Sequence, residues 1–329
     1  MFGMLSIAVT QNCNLRCPFC YADAGRPTKE LSLSELLTFY HTFMAAFEKH
    51  TNAIDVTVTG GEPLLRLHTT LTLLESITSY SGRRPDDRIT LNTNGTLLDH
   101  RVGERLREMK GLHVWVSIDG DETRHDSLRG SGSYLLATRA IEILAANGVW
   151  CGVAFFPCES NLNTMVQTAQ KALEIGASQF AVQFPMSVGR WRDNSIASFI
   201  NPFHQELRRL HGRFGQQVQS PLASIHNYLS MAGKCPIGKN ITFHVTPSGE
   251  IFPCYSLVGT QFSIGTIRTW PSTLGDFNRA LAQFEDHLAF LDASQIGCLA
   301  GCPATLPEGS PIPESWILLH KRLSQLSGN

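Results

Sequence analysis

The sequence predicts an α/β protein: a partial, TIM-like (β/α)6 barrel over residues 1–190, a helical connector over 191–233, and a small loop-rich domain over 234–329. Three observations predict it. Short β-type runs alternate with helical segments through the first half, which implies parallel strands joined by right-handed crossovers. A polar or sulfur-bearing stretch follows each strand, where parallel barrels keep their active groups. After Phe184 the alternation ends, and from Cys235 onward Pro and Gly punctuate short strands.

The strand candidates, in order, are Leu5–Thr10, Ile54–Thr59, Arg88–Leu91, Val114–Ile118, Gly152–Phe156 and Phe180–Phe184. Between them, Leu33–Lys49 carries apolar residues at Leu33, Leu36, Leu37, Tyr40, Phe43, Met44 and Phe47, a stripe of helical period. Leu135–Ala146 and Met165–Ile175 read the same way. Six units are about three-quarters of an eight-stranded barrel, so the barrel is expected to stop short of closure. Helical pieces follow around His204–Phe214 and Ser224–Met231, then short strands at Ile241–Thr246 and Glu250–Pro253, and a last helix at Ser315–Leu326.

Bulk composition excludes several function classes. Of the 329 residues 43% are apolar and 17% charged, which argues for a folded chain. With 27 basic against 28 acidic residues there is no electrostatic footprint for nucleic acid or an anionic membrane. The opening MFGMLSIAVTQ lacks the basic start and the apolar length of a signal peptide. No stretch approaches the about 18 apolar residues of a membrane span, so a cytoplasmic location is expected. Nine cysteines in a reducing compartment point to metal or redox chemistry rather than disulfides.

The first strand runs into CNLRCPFC, which places Cys13, Cys17 and Cys20 at C-x3-C-x2-C spacing. A tetrahedral zinc site needs a fourth N or S ligand, and none lies nearby in sequence. An iron–sulfur cube held by three thiolates keeps one iron open to substrate or cofactor. A structural zinc or cluster site is the alternative for this spacing alone. After the second strand come Gly60, Gly61, Glu62 and Pro63; after the third, Asn94 and Gly95; Ser117 and Asp119 end the fourth.

The cysteine spacing, the aromatic Tyr21 that follows it, and GGEP at 60–63 together resemble the radical S-adenosylmethionine (SAM) superfamily. The resemblance implies a [4Fe–4S] cluster on Cys13, Cys17 and Cys20, with SAM chelated to its open iron. One electron from that cluster would split SAM, and the resulting 5′-deoxyadenosyl radical would take hydrogen from a substrate. It further implies SAM contacts from Tyr21, Gly60, Gly61, Glu62, Asn94, Ser117 and Arg139. Glycines admit close backbone approach, Glu62 can accept from the SAM amino group, and an Arg fork suits its carboxylate. Asn94 before Gly95 also reads as turn chemistry, and Arg139 as a solvated helix arginine.

Cys235, Cys254, Cys298 and Cys302 resemble the auxiliary-cluster domains called SPASM, or the shorter Twitch form. Full SPASM domains carry seven cysteines for two clusters. This chain lacks the C-x2-C pair before Cys298 and a cysteine after Cys302, so one fully ligated auxiliary [4Fe–4S] cluster is expected. A zinc ribbon is the other reading of those four thiols. The run SIDGDETRHDSLRG at 117–130 is also family-like.

Two cysteines remain. Cys151 opens the fifth strand and reads as core packing. Cys158 lies just past that strand, where it reads either as a hydrogen-atom donor to a substrate radical, as in epimerases of the superfamily, or as an inert half-buried thiol. Tyr255 follows Cys254 at a position that faces substrate in related enzymes. It could shape the pocket or relay a proton, and core packing is the other reading.

Three functions follow from the resemblance. The first is maturation of a ribosomally made peptide by crosslinking, epimerisation or oxidation. Many such relatives carry a leader-recognition module before the first cysteine. Cys13 leaves no room for one, so a separate leader-binding protein is expected. The second is oxidation or epimerisation of a sugar or aminoglycoside. The third is a non-catalytic Fe–S or zinc protein, against which Gly60–Glu62 and Arg139 speak. Either enzyme needs an external reductant of the flavodoxin or ferredoxin type.

Overall fold

The computed structural model describes residues 1–26, 28–183, 185, 188–192, 194, 199–219 and 240–290. The expected helices at Ser224–Met231 and Ser315–Leu326, and the thiols of Cys235, Cys298 and Cys302, lie outside the described residues.

Six strands and their helices form the expected partial barrel. They run β1 Phe2–Ala8, α1 Leu33–Phe47, β2 Ala53–Thr59, α2 Leu67–Thr78, β3 Arg88–Thr93, α3 His100–Arg107, β4 Leu112–Ser117, α4 Glu122–Arg129, α5 Ser133–Ala146, β5 Trp150–Phe155, α6 Met165–Glu174 and β6 Gln179–Val182. All six strands are parallel and adjacent in chain order. Beyond them lie α7 Ile200–Phe214, β7 Val218–Gln219, β8 Ile241–Val245, β9 Glu250–Phe252, β10 Gly265–Thr266 and α8 Leu274–Phe290.

The sheet does not end at six strands. Its order is β10-β9-β8-β1-β2-β3-β4-β5-β6-β7. Strand β8 pairs parallel with β1, Leu5 opposite Phe243, and β9 and β10 follow antiparallel. At the other edge β7 adds to β6. The strand that leads into Cys13 is therefore flanked on both sides.

The core explains this join. Helix α1 starts on a capping box, Ser32 with Glu35, and buries Phe39, Phe43 and Phe47. Those rings meet Phe243 of β8, at 5.2 Å for Phe43 and 5.5 Å for Phe47, and Trp270 before α8. Phe277 of α8 closes the cluster at 5.5 Å from Phe243. Edge and tilted contacts at these spacings each add to the burial of large rings, so residues 241–281 share one core with the barrel.

Candidate active site

The three N-terminal thiols sit on the loop that leaves the C-terminal end of β1. Two short turns fold that loop: the Cys17 carbonyl accepts from Cys20 N at 3.3 Å, and the Cys20 carbonyl from Asp23 N at 3.2 Å. Glu30 holds its entry by accepting from Gln11 N at 3.0 Å and from the Thr10 hydroxyl. Arg190 holds its exit. Its Nε donates to the Cys17 carbonyl at 2.8 Å, its Nη1 to the Ala24 carbonyl at 2.9 Å, and it pairs with Asp23 at 3.1 Å. Gly189 beside it has φ +58, and a Cβ there would lie 2.3 Å from the carbonyl oxygens of Cys20 and Tyr21. Only glycine fits that approach.

Burial raises the pKa of the Cys13 and Cys17 thiols, while donors and a cation lie close by. Cys13 Sγ accepts from Leu15 N at 3.4 Å and lies 4.0 Å from Asn94 Nδ2. Burial pushes the Cys17 thiol up, and the Arg129 guanidinium opposes that. Among the described residues, no three His, Cys, Asp or Glu side chains converge on a site for a single metal ion. A larger inorganic group, one iron per thiolate, fits this donor set of three soft ligands with N–H donors and a cation close by.

Gly60 and Gly61 meet the cysteine loop directly. A Cβ on Gly61 would stand 2.2 Å from the Asn12 carbonyl oxygen, and one on Gly60 2.7 Å from that of Thr10. Gly61 N donates to the Thr10 carbonyl at 2.7 Å and Glu62 N to that of Asn12 at 2.8 Å. The pair thus clamps β2 onto the approach to Cys13. The Glu62 carboxylate is fully buried. It accepts from Leu64 N at 3.0 Å, the Thr93 hydroxyl at 2.8 Å and Asn94 N at 2.7 Å. Those bonds favour the anion while burial raises its pKa.

Asn94 has the turn chemistry its sequence context predicts. Its Oδ1 accepts from Thr96 N at 2.9 Å, a turn, while its Nδ2 reaches Asn14 at 3.0 Å beside Cys13. Ser117 is half-buried at the end of β4. Just beyond, Asp119 is fully buried. Its Oδ1 accepts from Phe156 N at 2.7 Å and its Oδ2 pairs with Arg129. Asn161 braces the same junction, donating to the carbonyls of Asp119 at 3.1 Å and Phe156 at 2.8 Å, and accepting from Cys158 N at 2.8 Å.

Cys158 is buried and packs with Cys17, Phe19 and Phe156. Its Sγ lies 3.2 Å from the Ser160 hydroxyl, and burial pushes its thiol up. Cys151 is buried in β5, with its thiol pushed up to about 12. Arg139 is exposed midway along α5 and forms no ion pair among the described residues. Tyr21 and Tyr255 meet edge-on at 5.0 Å between ring centroids, and the Cys254 thiol lies 3.1 Å from the Ser256 hydroxyl.

Sequence reading missed Arg129, Glu30, Arg190 and Asn161. Arg129 lay inside the family-like run at 117–130, ten residues after Asp119, and that spacing was its signal. Arg190 lies eight residues past the sixth strand, and its partners on the cysteine loop are more than 160 residues away. Nothing local marks Glu30 or Asn161, whose partners are distant in sequence or are main-chain groups.

Comparison with known proteins agrees with this geometry. The family model described as the radical SAM superfamily matches residues 7–172. The chain is 26% identical to the antilisterial bacteriocin subtilosin biosynthesis protein AlbA of Bacillus subtilis (strain 168), over 79% of its own length and 56% of AlbA. It is 29% identical to the sporulation killing factor maturation protein SkfB of the same organism, over 76% of its length and 59% of SkfB. The chain thus spans less than two-thirds of either relative. Among solved structures, native anSMEcpe with bound AdoMet and Kp18Cys peptide superposes with a TM-score of 0.72 at 17% identity, covering all of both chains, which is a likeness of fold. The family match covers half of the chain, from the cysteine strand through α6, and on it this chain belongs to the radical SAM superfamily.

Proposed function

We propose that this chain takes hydrogen from a ribosomally made peptide and so crosslinks, epimerises or oxidises it. The observation that carries the proposal is the pairing of the Cys13–Cys17–Cys20 rim with relatives named for peptide biosynthesis and maturation, AlbA and SkfB. Cys13, Cys17 and Cys20 would hold a [4Fe–4S] cluster, which would supply the single electron that reductive cleavage of bound SAM requires.

The chain's own residues prepare that event. Glu30 and Arg190 fix the thiol-bearing loop from both ends. Gly60 and Gly61 bring the β2 end against it. Tyr21, Glu62, Asn94, Ser117 and Arg139 are assigned to SAM. The neutral, buried Cys158 thiol is assigned as hydrogen-atom donor to a substrate radical. The thiyl it leaves takes one electron from the external reductant, a flavodoxin or ferredoxin, and one proton from solvent. Cys235, Cys254, Cys298 and Cys302 are assigned to one auxiliary [4Fe–4S] cluster.

Anaerobic reconstitution with iron, sulfide, SAM and dithionite tests the reading. Release of 5′-deoxyadenosine together with about seven or eight irons per chain is expected for two four-iron clusters. In heavy water, a precursor peptide gaining 1 Da marks epimerisation, and one losing 2 Da marks oxidation or crosslinking. Turnover of an aminoglycoside in place of any peptide would overturn the peptide assignment.

A further inference from the structure

Arg129 is the last residue of α4, yet its side chain is only 11% exposed and points inward to Asp119. Its guanidinium carbon lies 5.2 Å from the centre of the Phe19 ring. Phe19 stands between Cys17 and Cys20 in sequence and stacks on Phe156 at 4.3 Å with an 8° tilt. The cation is therefore pressed against the middle of the cysteine loop.

The counter-charge is held firmly in place. Asp119 is fixed four ways: Oδ1 to Phe156 N, Oδ2 to Arg129, backbone N to His125 Nδ1 at 3.1 Å, and backbone carbonyl to Asn161. Neighbouring His125 is buried and adds no charge, since burial holds its pKa down at about 4. Both Cys17 and Cys20 feel the Arg129 charge, and at Cys17 it outweighs that of Asp119. The ion pair is thus a fixed dipole with its positive end toward Cys17 and the Phe19 ring. Arg keeps that charge at every relevant pH.

We propose that Arg129, oriented by Asp119, sets the reduction potential of the iron–sulfur cluster held by Cys13, Cys17 and Cys20. One-electron reduction by dithionite or a low-potential ferredoxin adds one negative charge to the cluster. A partly desolvated cation beside it stabilises the reduced form and raises the potential. Arg129 touches neither substrate nor SAM in this assignment; it acts on the electron acceptor as a positioning charge. The inference rests on the cluster reading of the three thiols.

The test is an EPR-monitored potentiometric titration of the reconstituted full chain. Arg129→Gln is expected to lower the cluster's potential by at least a tenfold change in the reduced-to-oxidised ratio, about 59 mV for one electron. Asp119→Asn, which keeps the cation and removes its counter-charge, is expected to raise it. Arg129→Lys is expected to stay near the parent value. Loss of the ion pair as a mere structural brace would move the Gln and Asn variants the same way. Shifts of equal sign, or no shift in an iron-replete Arg129→Gln protein, overturn the proposal. If Arg129→Gln does not retain iron, Asp119→Asn decides alone: a rise supports the dipole and a fall or no change rejects it. A parent protein that binds no iron on Cys13, Cys17 and Cys20 overturns the cluster reading itself.

Discussion

Tyr21 and Tyr255 touch edge to face, and each is the residue immediately after a cysteine, Cys20 in the first case and Cys254 in the second. The contact joins the β1 loop to the turn after β9, more than two hundred residues on. An aromatic pair of this geometry adds about 0.5–1.5 kcal/mol beyond burial. Both rings are near 40% exposed, at 38% and 43%, which favours the low end. A double-mutant cycle with Tyr21→Ala and Tyr255→Ala, read by urea unfolding, is expected to give a coupling of about 0.5 kcal/mol. Strict additivity would show that the rings do not tie the two segments together.

Gly61→Ala is expected to dislodge the cysteine loop. Its new Cβ would stand 2.2 Å from the Asn12 carbonyl oxygen, which is backbone and cannot swing aside. Iron bound per chain should fall, and 5′-deoxyadenosine release should drop at least tenfold. Gly148→Ala is the control: that glycine, unlike Gly61, has a positive φ, but open space surrounds its Cβ position. It should cost stability and leave iron content intact.

Glu62→Gln keeps shape but not hydrogen bonding. Glu62 accepts three bonds and donates none. An amide nitrogen would face a donor on one side, so an unsatisfied buried pair results, costing about 1–3 kcal/mol. The expected result is a lower unfolding midpoint with unchanged m-value. A midpoint equal to the parent's would mean the carboxyl is already protonated in the fold.

Cys158→Ala separates two kinds of chemistry. If the chain epimerises its peptide, the variant should still make 5′-deoxyadenosine but lose the +1 Da product in heavy water. Persistence of that product would remove Cys158 as donor. Because the thiol packs against Phe19 and Phe156, Cys158→Ser should fold at modest cost and be equally unable to donate.

Acid sensitivity should come from buried histidines. Burial holds His125 and His244 down at about 4, against 6.5 for the free side chain. The unfolded chain therefore binds more protons between those values, and stability falls as pH drops from about 6.5 toward 4. At most roughly 3 kcal/mol per histidine is at stake. Urea unfolding at pH 7 and pH 5 should show the loss, and His244→Gln should flatten it. A pH-independent midpoint over that range would contradict the neutral, buried assignment.

The barrel was legible because its strands are short apolar runs whose partners are the next strands in the chain. The cysteine loop was legible because its three cysteines lie within eight residues. Helix α2, LHTTLTLLESIT, escaped because its threonines dilute a helical stripe. Helix α4, ETRHDSLR, carries almost no apolar face and is set by its Asp121 cap. The pairing of β8 with β1 depends on contacts between residues near 5 and near 243, which no local pattern encodes. Arg129 was hidden for a different reason: a helix-end arginine looks solvated until its partner, ten residues back, is seen beneath it.

The place of β1 between β2 and β8 has a consequence for biogenesis. As the chain leaves the ribosome, β1 finds β2 after some fifty residues, but its other edge stays unpaired until residues 241–245 emerge. Until then the strand that carries the cysteine loop is an open template for another chain. Metal loading before synthesis passes β8 would act on a half-supported scaffold. The order of events in the cell thus favours translation first, sheet completion second, and iron delivery last.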